Sequence, residues 1–162
     1  MNGNTSVSEL DTFRAETAAW LEASCPAAMR TPITGPEMLW SSSHNVFTSD
    51  AQRLWFERAR DRGWFAPGWP LEYGGGGLST PQQRVLDEEM LRLGCRQPQY
   101  NLGIWMLGPV LLELGSDEQK REHLPPTARG ERRWCQGFSE PNAGSDLASL
   151  RTSAVAGSDG DG

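Results

Sequence analysis

Proline and glycine interrupt this chain so often that they restrict it to short helices joined by loops. The 162 residues include 11 prolines and 18 glycines, and neither residue type continues a helix well. Pro26, Pro32 and Pro36 break the chain after a first helical stretch. The later segment "WFAPGWPLEYGGGGLS" combines two prolines with four consecutive glycines, which predicts a long loop. We interpret its "YGGGGLST" part as a flexible connector, because it fails the G-x-G-x-x-G pattern of a dinucleotide-binding turn.

Helical periodicity and capping signals predict five helices between these breaks. Ser8 begins a variant of the capping box for the first helix. Ser49 begins the second helix, which places Leu54, Trp55 and Ala59 on one face. The predicted helices run over about 9–24, 49–63, 80–94, 101–114 and 117–123.

The last three predicted helices also carry local start and stop signals. Thr80 is the expected N-cap of the third helix, followed by Pro81 at its first position and Gln83 as the capping-box partner. Pro125 and Pro126 are expected to close the last helix. The apolar run "LGIWMLGPVLLELG" is shorter than the ~18 to 20 residues that cross a bilayer. We therefore expect a buried helix there and no membrane partner.

The pattern changes after residue 131, where two stretches are typical of β-strands. The first is "RRWCQGFS" and the second is "LRTSAVAG". An isolated pair of strands is marginally stable in water, so we expect residues 132–162 to be the incomplete start of a β domain. The predicted fold class is mainly α, with a helical domain over 1–131. Trp134 and Phe138 are expected to be buried where the two domains meet.

Charge and cysteine content exclude some functions and favour one compartment. The net charge of −6 and the pI near 4.9 argue against binding to nucleic acid, whose phosphates require a basic surface. The first residues lack the pattern of a signal peptide. Cys25, Cys95 and Cys135 are odd in number and far apart in sequence, as in proteins of the reducing cytoplasm.

The common catalytic and metal-binding motifs are not matched. "GFSEP" differs from the G-x-S-x-G nucleophile elbow at its last position, where Pro141 stands. His44 and His123 are the only histidines, and neither has the spacing of a metal ligand or of a partner for a catalytic serine. We therefore predict no metal site. The loop "FSEPNAGSD" instead offers backbone amides around residues 143–145, together with the Ser139 and Ser145 hydroxyls, to a phosphate-bearing or planar polar cofactor.

The stretch "GFSEPNAGSDLAS", residues 137–149, resembles the signature of the acyl-CoA dehydrogenase family. It departs from that signature at Phe138, where an aliphatic residue is usual. "GWFAPGWPLEYGGGG" and "LLELGSDEQKREHLPPTARGE" also resemble family members, in the same order and spacing. The resemblance implies a three-part fold, of which this chain would hold the N-terminal helical domain and the opening of the middle β domain. The chain is therefore expected to be an N-terminal portion of such an enzyme.

The resemblance also implies FAD as cofactor and an acyl-CoA thioester as substrate. Gln136 and Phe138 would meet the flavin through their main chain, Ser139 would add its hydroxyl, and Ser145 would lie near the acyl-CoA and the cofactor phosphates. For the acyl pocket, the implied residues are Gln99, Leu102 and Gly103. An apolar helix face is also commonly core, and this second interpretation remains open for that set.

In the family a carboxylate of the C-terminal helical bundle removes the α-proton while hydride passes to the flavin. No residue of this chain is therefore predicted to be catalytic, and Glu140 is expected to form local hydrogen bonds. The resemblance further implies an electron acceptor such as an electron-transfer flavoprotein, and a homo- or hetero-oligomer. Two alternatives remain, a non-catalytic helical interaction module or partner subunit, and a related flavin-dependent oxidase or monooxygenase. The acyl group stays open among fatty, branched, aromatic and steroid-derived classes.

Overall fold

The computed structural model describes residues 7–153 and Val155, and this part of the chain is mainly helical. The prediction of a mainly α fold is confirmed. A π-helical turn, Gly103–Leu107, runs directly into the fourth helix. The α-helices are α1 Val7–Ser24, α2 Asp50–Asp61, α3 Thr80–Arg92, α4 Gly108–Leu114 and α5 Asp117–Ala128. Single 3₁₀ turns lie at Ala27–Met29, Gly35–Glu37, Leu71–Tyr73 and Leu147–Ser149.

Two apolar clusters are joined by the loop over residues 63–79, which lies between α2 and α3. Trp64 of this loop packs with side chains of the first three helices, while Trp69 packs with the π-turn and α5. The loop therefore connects the two halves of the helical body. The first cluster includes Leu21, Trp55, Trp64, Leu86 and Met90. The second is formed by Ala66, Trp69, Ile104, Leu124 and Ala128.

The predicted first two helices are confirmed, with differences in detail. Ser49 caps α2 as predicted, because its Oγ accepts a hydrogen bond from the Gln52 N–H at 3.1 Å. Trp55 is buried on the inner face of α2, but Leu54 is 39% exposed and does not belong to that face. Ser8 lies inside α1 rather than at its start, since the helix already includes Val7.

The third helix starts one residue earlier than the sequence suggested. Ser79, not Thr80, is the N-cap of α3, and Gln82 is its capping-box partner. The Gln82 Oε1 accepts from the Ser79 N–H at 2.9 Å. Gln83, the predicted partner, instead donates from Nε2 to the Leu78 carbonyl oxygen at 3.1 Å. A serine followed by a threonine offers two caps, and the one that leaves Pro81 within the first turn of α3 is used.

The glycine-rich part of the loop is tightly packed, so our interpretation as a flexible connector is wrong. Gly76 and Gly77 donate backbone hydrogen bonds to the carbonyl oxygens of Ala66 and Trp69, at 3.1 and 2.9 Å. A Cβ on Gly75 would overlap the Trp69 backbone. Side chains are excluded here because two backbone segments approach each other closely.

Pro125 and Pro126 lie inside α5 and do not end it, contrary to the prediction. Proline leaves one helix carbonyl without its N–H donor. The Glu122 oxygen freed by Pro126 accepts a hydrogen bond from Arg132 Nη1 at 3.5 Å. Leu124 and Ala128 are also about 1% exposed, so burial of the last turn offsets the lost bonds.

The strand predicted over "RRWCQGFS" does not form a ladder in the described residues. Within the described part of the chain, residues 131–139 have no regular secondary structure and no neighbouring strand, and a strand is stable only when its backbone groups are paired. The second predicted strand, residues 150–157, falls partly outside the described residues. The division into domains over 1–131 and 132–162 remains a prediction.

Candidate cofactor-binding loop

The segment after α5, residues 131–139, is fixed to the helical body by Trp134. Its indole Nε1 donates to the Thr127 Oγ1 at 2.8 Å, and its ring meets the His123 ring edge-on at 5.4 Å between centroids. The ring also occupies the space that a side chain at Gly103 would fill. Glycine at 103 therefore permits the contact that positions the segment leading to Gln136.

Asn101 is a second anchor, which the sequence did not single out. It is 1% exposed and donates from Nδ2 to the Arg132 carbonyl oxygen at 2.8 Å. Its Oδ1 accepts from the Gly103 N–H at 2.9 Å. The buried Asn101 side chain thus joins the start of the π-turn to the segment after α5. An asparagine just before an apolar run is a common helix-start signal, so the pattern alone does not reveal this second role.

Trp134 and Phe138, both expected to be buried, differ sharply in the structure. Trp134 is half-buried, whereas Phe138 is 85% exposed. The prediction for Phe138 is wrong for the described residues, because no part of them packs against its ring.

We expect Trp134→Ala to lower the free energy of unfolding by about 2 kcal/mol, below the usual cost for a fully buried aromatic residue. The variant loses the hydrogen bond to Thr127 and the ring contact with His123. Phe138→Ala is the matched control and should change stability by less than about 0.5 kcal/mol. Urea unfolding followed by tryptophan fluorescence or circular dichroism measures both. Equal losses in the two variants would contradict this placement.

The other end of the loop is held by Glu140. Its carboxylate accepts hydrogen bonds from the backbone N–H of Arg151 at 3.0 Å and of Thr152 at 2.5 Å, and from the Thr152 hydroxyl. We call this set of bonds the Glu140 clasp. The hydrogen bond from the Thr152 side chain, followed by those from the backbone, lowers the pKa of Glu140. The clasp is therefore complete above the ordinary carboxyl pKa and is lost as the pH falls through the lowered value. The expected local role of Glu140 agrees with these contacts.

The turn between these anchors is also stabilised from within. The Ala143 N–H donates to the Glu140 carbonyl oxygen at 3.1 Å, and the Ser149 hydroxyl donates to the Asn142 oxygen at 2.7 Å. Ala143 is only 2% exposed. Because its amide is used by the turn, only the N–H groups of Gly144 and Ser145 remain for the expected anion-binding nest.

The four residues predicted to bind the cofactor lie on this loop with exposed side chains. They are Gln136, Phe138, Ser139 and Ser145. Within residues 7–153, the backbone N–H groups of the first three have no protein acceptor. The loop thus offers backbone donors that have no acceptor within residues 7–153, while its two ends are anchored. That arrangement suits a ligand with a planar edge of hydrogen-bond acceptors.

The three residues predicted to line an acyl pocket occupy different environments. Gln99 is 6% exposed, and its Oε1 accepts a hydrogen bond from the buried Ser41 hydroxyl. Gly103 is covered by Trp134, and Leu102 is half-buried at the start of the helical run. A groove of about 560 Å³ lies along the same run and is lined in part by Trp69, Ile104, Trp105, Pro109 and Leu112.

The apolar run "LGIWMLGPVLLELG" is not a fully buried helix, contrary to expectation. Ile104 faces the core at 8% exposure, but Trp105 is 55% and Leu114 is 77% exposed. Met106 and Val110 are about half exposed as well. The four side chains Trp105, Met106, Val110 and Leu114 are named the apolar face below. Across the described residues, no helix has the length and apolar character needed to span a membrane.

Comparison with known proteins identifies the family. The profile described as "Acyl-CoA dehydrogenase, N-terminal domain" matches residues 9–131. The chain is 37% identical over 149 residues to the acyl-CoA dehydrogenase IpdE1 of Mycolicibacterium smegmatis, covering 90% of this chain and 36% of that protein. It is also 48% identical over 95 residues to FadE34 of Mycobacterium tuberculosis, covering 59% of this chain and 13% of that protein. The chain belongs to the acyl-CoA dehydrogenase family.

Solved structures also resemble this chain. A structure titled "Tcur3481-Tcur3483 steroid ACAD G363A variant" aligns with a TM-score of 0.63 and 34% identity, covering 95% of this chain and 38% of that one. The ChsE4-ChsE5 complex from Mycobacterium tuberculosis aligns with a TM-score of 0.56 and 31% identity, covering 98% and 37%. This chain spans little more than a third of IpdE1 and of these structures.

Proposed function

We propose that this chain forms the helical part and one edge of the flavin site of an FAD-dependent acyl-CoA dehydrogenase. The observation that carries the proposal is the exposed segment Gln136–Ser139, fixed at one end by Trp134 and at the other by Glu140. Its N–H groups, which have no acceptor within residues 7–153, fit the pyrimidine edge of a flavin, which is planar and rich in acceptors. Family membership supports the same cofactor.

The proposed roles are those that the resemblance to the family implies. Gln136 and Phe138 contact the flavin edge through their main chain, and Ser139 adds a hydroxyl that both donates and accepts. Ser145, on the turn with Gly144, lies toward the phosphates and the acyl-CoA. The chemistry that FAD supplies when bound is acceptance of a hydride from the β-carbon of the thioester. The carboxylate that removes the α-proton is contributed from outside this chain, in the part of the relatives that it does not span.

A steroid-derived acyl group is our proposal for the substrate class. Two solved structures that resemble this chain carry the words steroid ACAD in their titles. Leu102 and Gly103 would contribute to the acyl wall directly. Gln99 would not contact the acyl group itself, since its side chain is buried against Ser41. It would act indirectly, by fixing the backbone that leads to Leu102 and Gly103.

A larger assembly is part of the proposal. The resembling structures are titled as pairs of proteins, Tcur3481-Tcur3483 and ChsE4-ChsE5, and the apolar face of this chain is suited to burial against more protein. We propose a homo- or hetero-oligomer in the cytoplasm that passes electrons to an acceptor such as an electron-transfer flavoprotein. The second candidate function, a non-catalytic partner subunit, is favoured by the same exposed apolar side chains.

A chimera tests the flavin edge. Residues 7–153 of this chain are joined to the part of IpdE1 that follows the matched segment, and FAD binding is titrated by flavin fluorescence. We expect the chimera to bind FAD and to reduce an artificial electron acceptor with a steroid-derived acyl-CoA. Ser139→Ala should weaken FAD binding by roughly 2- to 10-fold, the effect of one hydrogen bond. Ser43→Ala, an exposed serine before α2, is the matched control.

The chimera separates the two candidates, because both predict the same result for the unmodified chain. Alone, the unmodified chain should show no turnover and no stoichiometric FAD, because a tight site surrounds most of its ligand. A folded chimera that binds no FAD, or whose affinity is the same with Ser139→Ala, would contradict the flavin edge and favour the partner-subunit function. Formation of hydrogen peroxide from oxygen in place of dye reduction would indicate an oxidase.

A further inference from the structure

Cys25 and Cys95 are 70 residues apart in sequence, but the fold brings them to one place. Cys25 directly follows α1, and its N–H donates to the Leu21 carbonyl oxygen at 2.9 Å. Cys95 follows the end of α3, and its N–H donates to the Met90 carbonyl oxygen at 2.8 Å. Cys25 belongs to the apolar cluster between these helices, and Cys95 packs against the same cluster. The ends of α1 and α3 therefore meet at two thiols.

The Met29 carbonyl oxygen lies between Cys25, which follows α1, and Arg96, the residue after Cys95. It accepts hydrogen bonds from the Cys25 Sγ at 3.7 Å and from the Arg96 N–H at 2.9 Å. Arg30 completes the cluster, donating from Nε and Nη2 to the Cys25 carbonyl oxygen at 3.1 and 2.9 Å. A guanidinium group is thus held beside both cysteines.

The two sulfurs differ in ionisation. A hydrogen bond with Cys95, and then burial, raise the pKa of Cys25. The same hydrogen bond lowers the pKa of Cys95; burial opposes this effect, and the charge of Arg30 adds to it. Of the two sulfurs, Cys95 is therefore the one that ionises more readily. The thiolate is the form of cysteine that reacts with oxidants.

Access also differs between them. Cys25 is 3% exposed. Cys95 is partly exposed and lines a surface groove of about 300 Å³, together with Arg30, Thr31, Met90 and Gly94. A small oxidant reaches Cys95 from this groove, whereas Cys25 does not line it. An accessible cysteine of lowered pKa beside a second, protected cysteine is the arrangement found in cysteine redox sensors.

We propose that Cys95 and Cys25 are a peroxide-responsive pair, in which Cys95 is oxidised first and Cys25 then closes a disulfide. The Cys95 thiolate attacks hydrogen peroxide, the O–O bond breaks, and Cys95 sulfenic acid and hydroxide form. The Cys25 sulfur then attacks the Cys95 sulfur, the S–O bond breaks, and the leaving hydroxide takes the thiol proton to form water. Two cysteine sulfurs are oxidised by two electrons in total, and one peroxide is reduced to two waters once its hydroxide is protonated.

The product would join the ends of α1 and α3 covalently. A cross-link across so long a stretch of chain restricts the unfolded state strongly. We expect oxidation to raise the Tm by about 5 to 10 °C in a chain of this size. Reduction with dithiothreitol should restore the original Tm. The site lies away from the loop that carries Gln136, so this inference does not depend on the proposed function.

The experiment uses the full chain with Cys135→Ser, which removes the exposed third thiol. Treatment with hydrogen peroxide, followed by digestion and mass spectrometry, should give a peptide pair joined through Cys25 and Cys95, with both thiols lost to titration. In the further variant Cys25→Ser, Cys95 should stop at the sulfenic acid and be labelled by dimedone. Cys25→Ala serves the same purpose if the serine variant does not fold.

Arg30→Gln provides a second readout. Loss of its charge should slow peroxide oxidation of Cys95 several-fold, while a matched change at the exposed Arg53, Arg53→Gln, should not. The proposal is overturned if peroxide yields no Cys25–Cys95 cross-link in the folded protein. It is equally overturned if Cys95, with Cys25 present, reacts with peroxide no faster than the exposed Cys135 of the unmodified chain.

Discussion

Replacing Gly108 with alanine should destabilise the protein by about 2 to 3 kcal/mol, although the same change in an unconstrained helix is stabilising. Gly108 is the first residue of α4, and a Cβ there would overlap the benzene part of the Trp69 ring, including Cε2 at 2.8 Å. Trp69 is 6% exposed and belongs to the second apolar cluster. Its ring cannot move aside without disturbing Ile104 and Leu124.

Two further substitutions test whether the loss of stability comes from the contact between residue 108 and Trp69. Gly35→Ala is the control, because a Cβ at that position meets no atom within 4 Å, and its stability should stay within about 0.5 kcal/mol of the parent. Trp69→Phe shortens the ring, so Gly108→Ala should cost less in that background than in the parent. Chemical denaturation monitored by circular dichroism measures the parent and the four variants, which include the double variant of Trp69→Phe with Gly108→Ala. Stabilisation by Gly108→Ala would show that Trp69 does not contact α4 as described.

Glu89→Gln should lower the free energy of unfolding by about 2 to 3 kcal/mol at neutral pH. Glu89 is a buried carboxylate on α3, with 5% of its side chain exposed. It accepts hydrogen bonds from Arg14 Nη1 at 2.9 Å and from Arg92 Nε at 2.7 Å. The loss should fall below the usual cost of breaking a buried ion pair, because both guanidinium groups reach water. Glu88→Gln is the control, since Glu88 also contacts Arg14 but is 59% exposed, and such pairs contribute little.

The effect of Glu89→Gln should depend on pH. Burial by itself would raise the pKa of Glu89, but the hydrogen bonds and charges of Arg14 and Arg92 outweigh it and lower that pKa. A carboxyl group with a lowered folded-state pKa stabilises the protein above its unfolded pKa, about 4.3. The contribution disappears as the pH falls through the folded value. The difference between parent and variant should therefore shrink on acidification below pH 4, and a constant difference would show that the carboxylate charge is not responsible.

Local signals in the sequence predicted most of the helices because those signals act over three or four residues. Ser49 at the start of α2 and Gly63 after its end illustrate this. The errors arose where distant contacts decide the outcome. Pro125 and Pro126 remain in α5 because Arg132 and the buried last turn compensate for the missing donors.

The loop that carries Gln136 was found through its resemblance to a family signature. The contacts that attach this loop to the helical body could not be found in that way. Asn101 and Thr127 hold the segment through partly buried hydrogen bonds with Arg132 and Trp134. Their partners are 31 and seven residues away, and neither residue type nor spacing indicates such pairs. The roles of the exposed loop residues themselves remain predictions, because they concern a ligand.

The Glu140 clasp should affect the association rate of a ligand at Gln136–Ser139 and leave its dissociation rate unchanged. Under the proposed function, only chains with the clasp closed present the segment to the ligand, so the apparent Kd would equal the intrinsic value divided by the closed fraction. The clasp spans 11 to 12 residues and does not include the segment itself. A substitution such as Glu140→Gln therefore reduces the closed fraction without removing a ligand contact. Its signature is a slower association rate with an unchanged dissociation rate, the reverse of the pattern expected for Ser139→Ala.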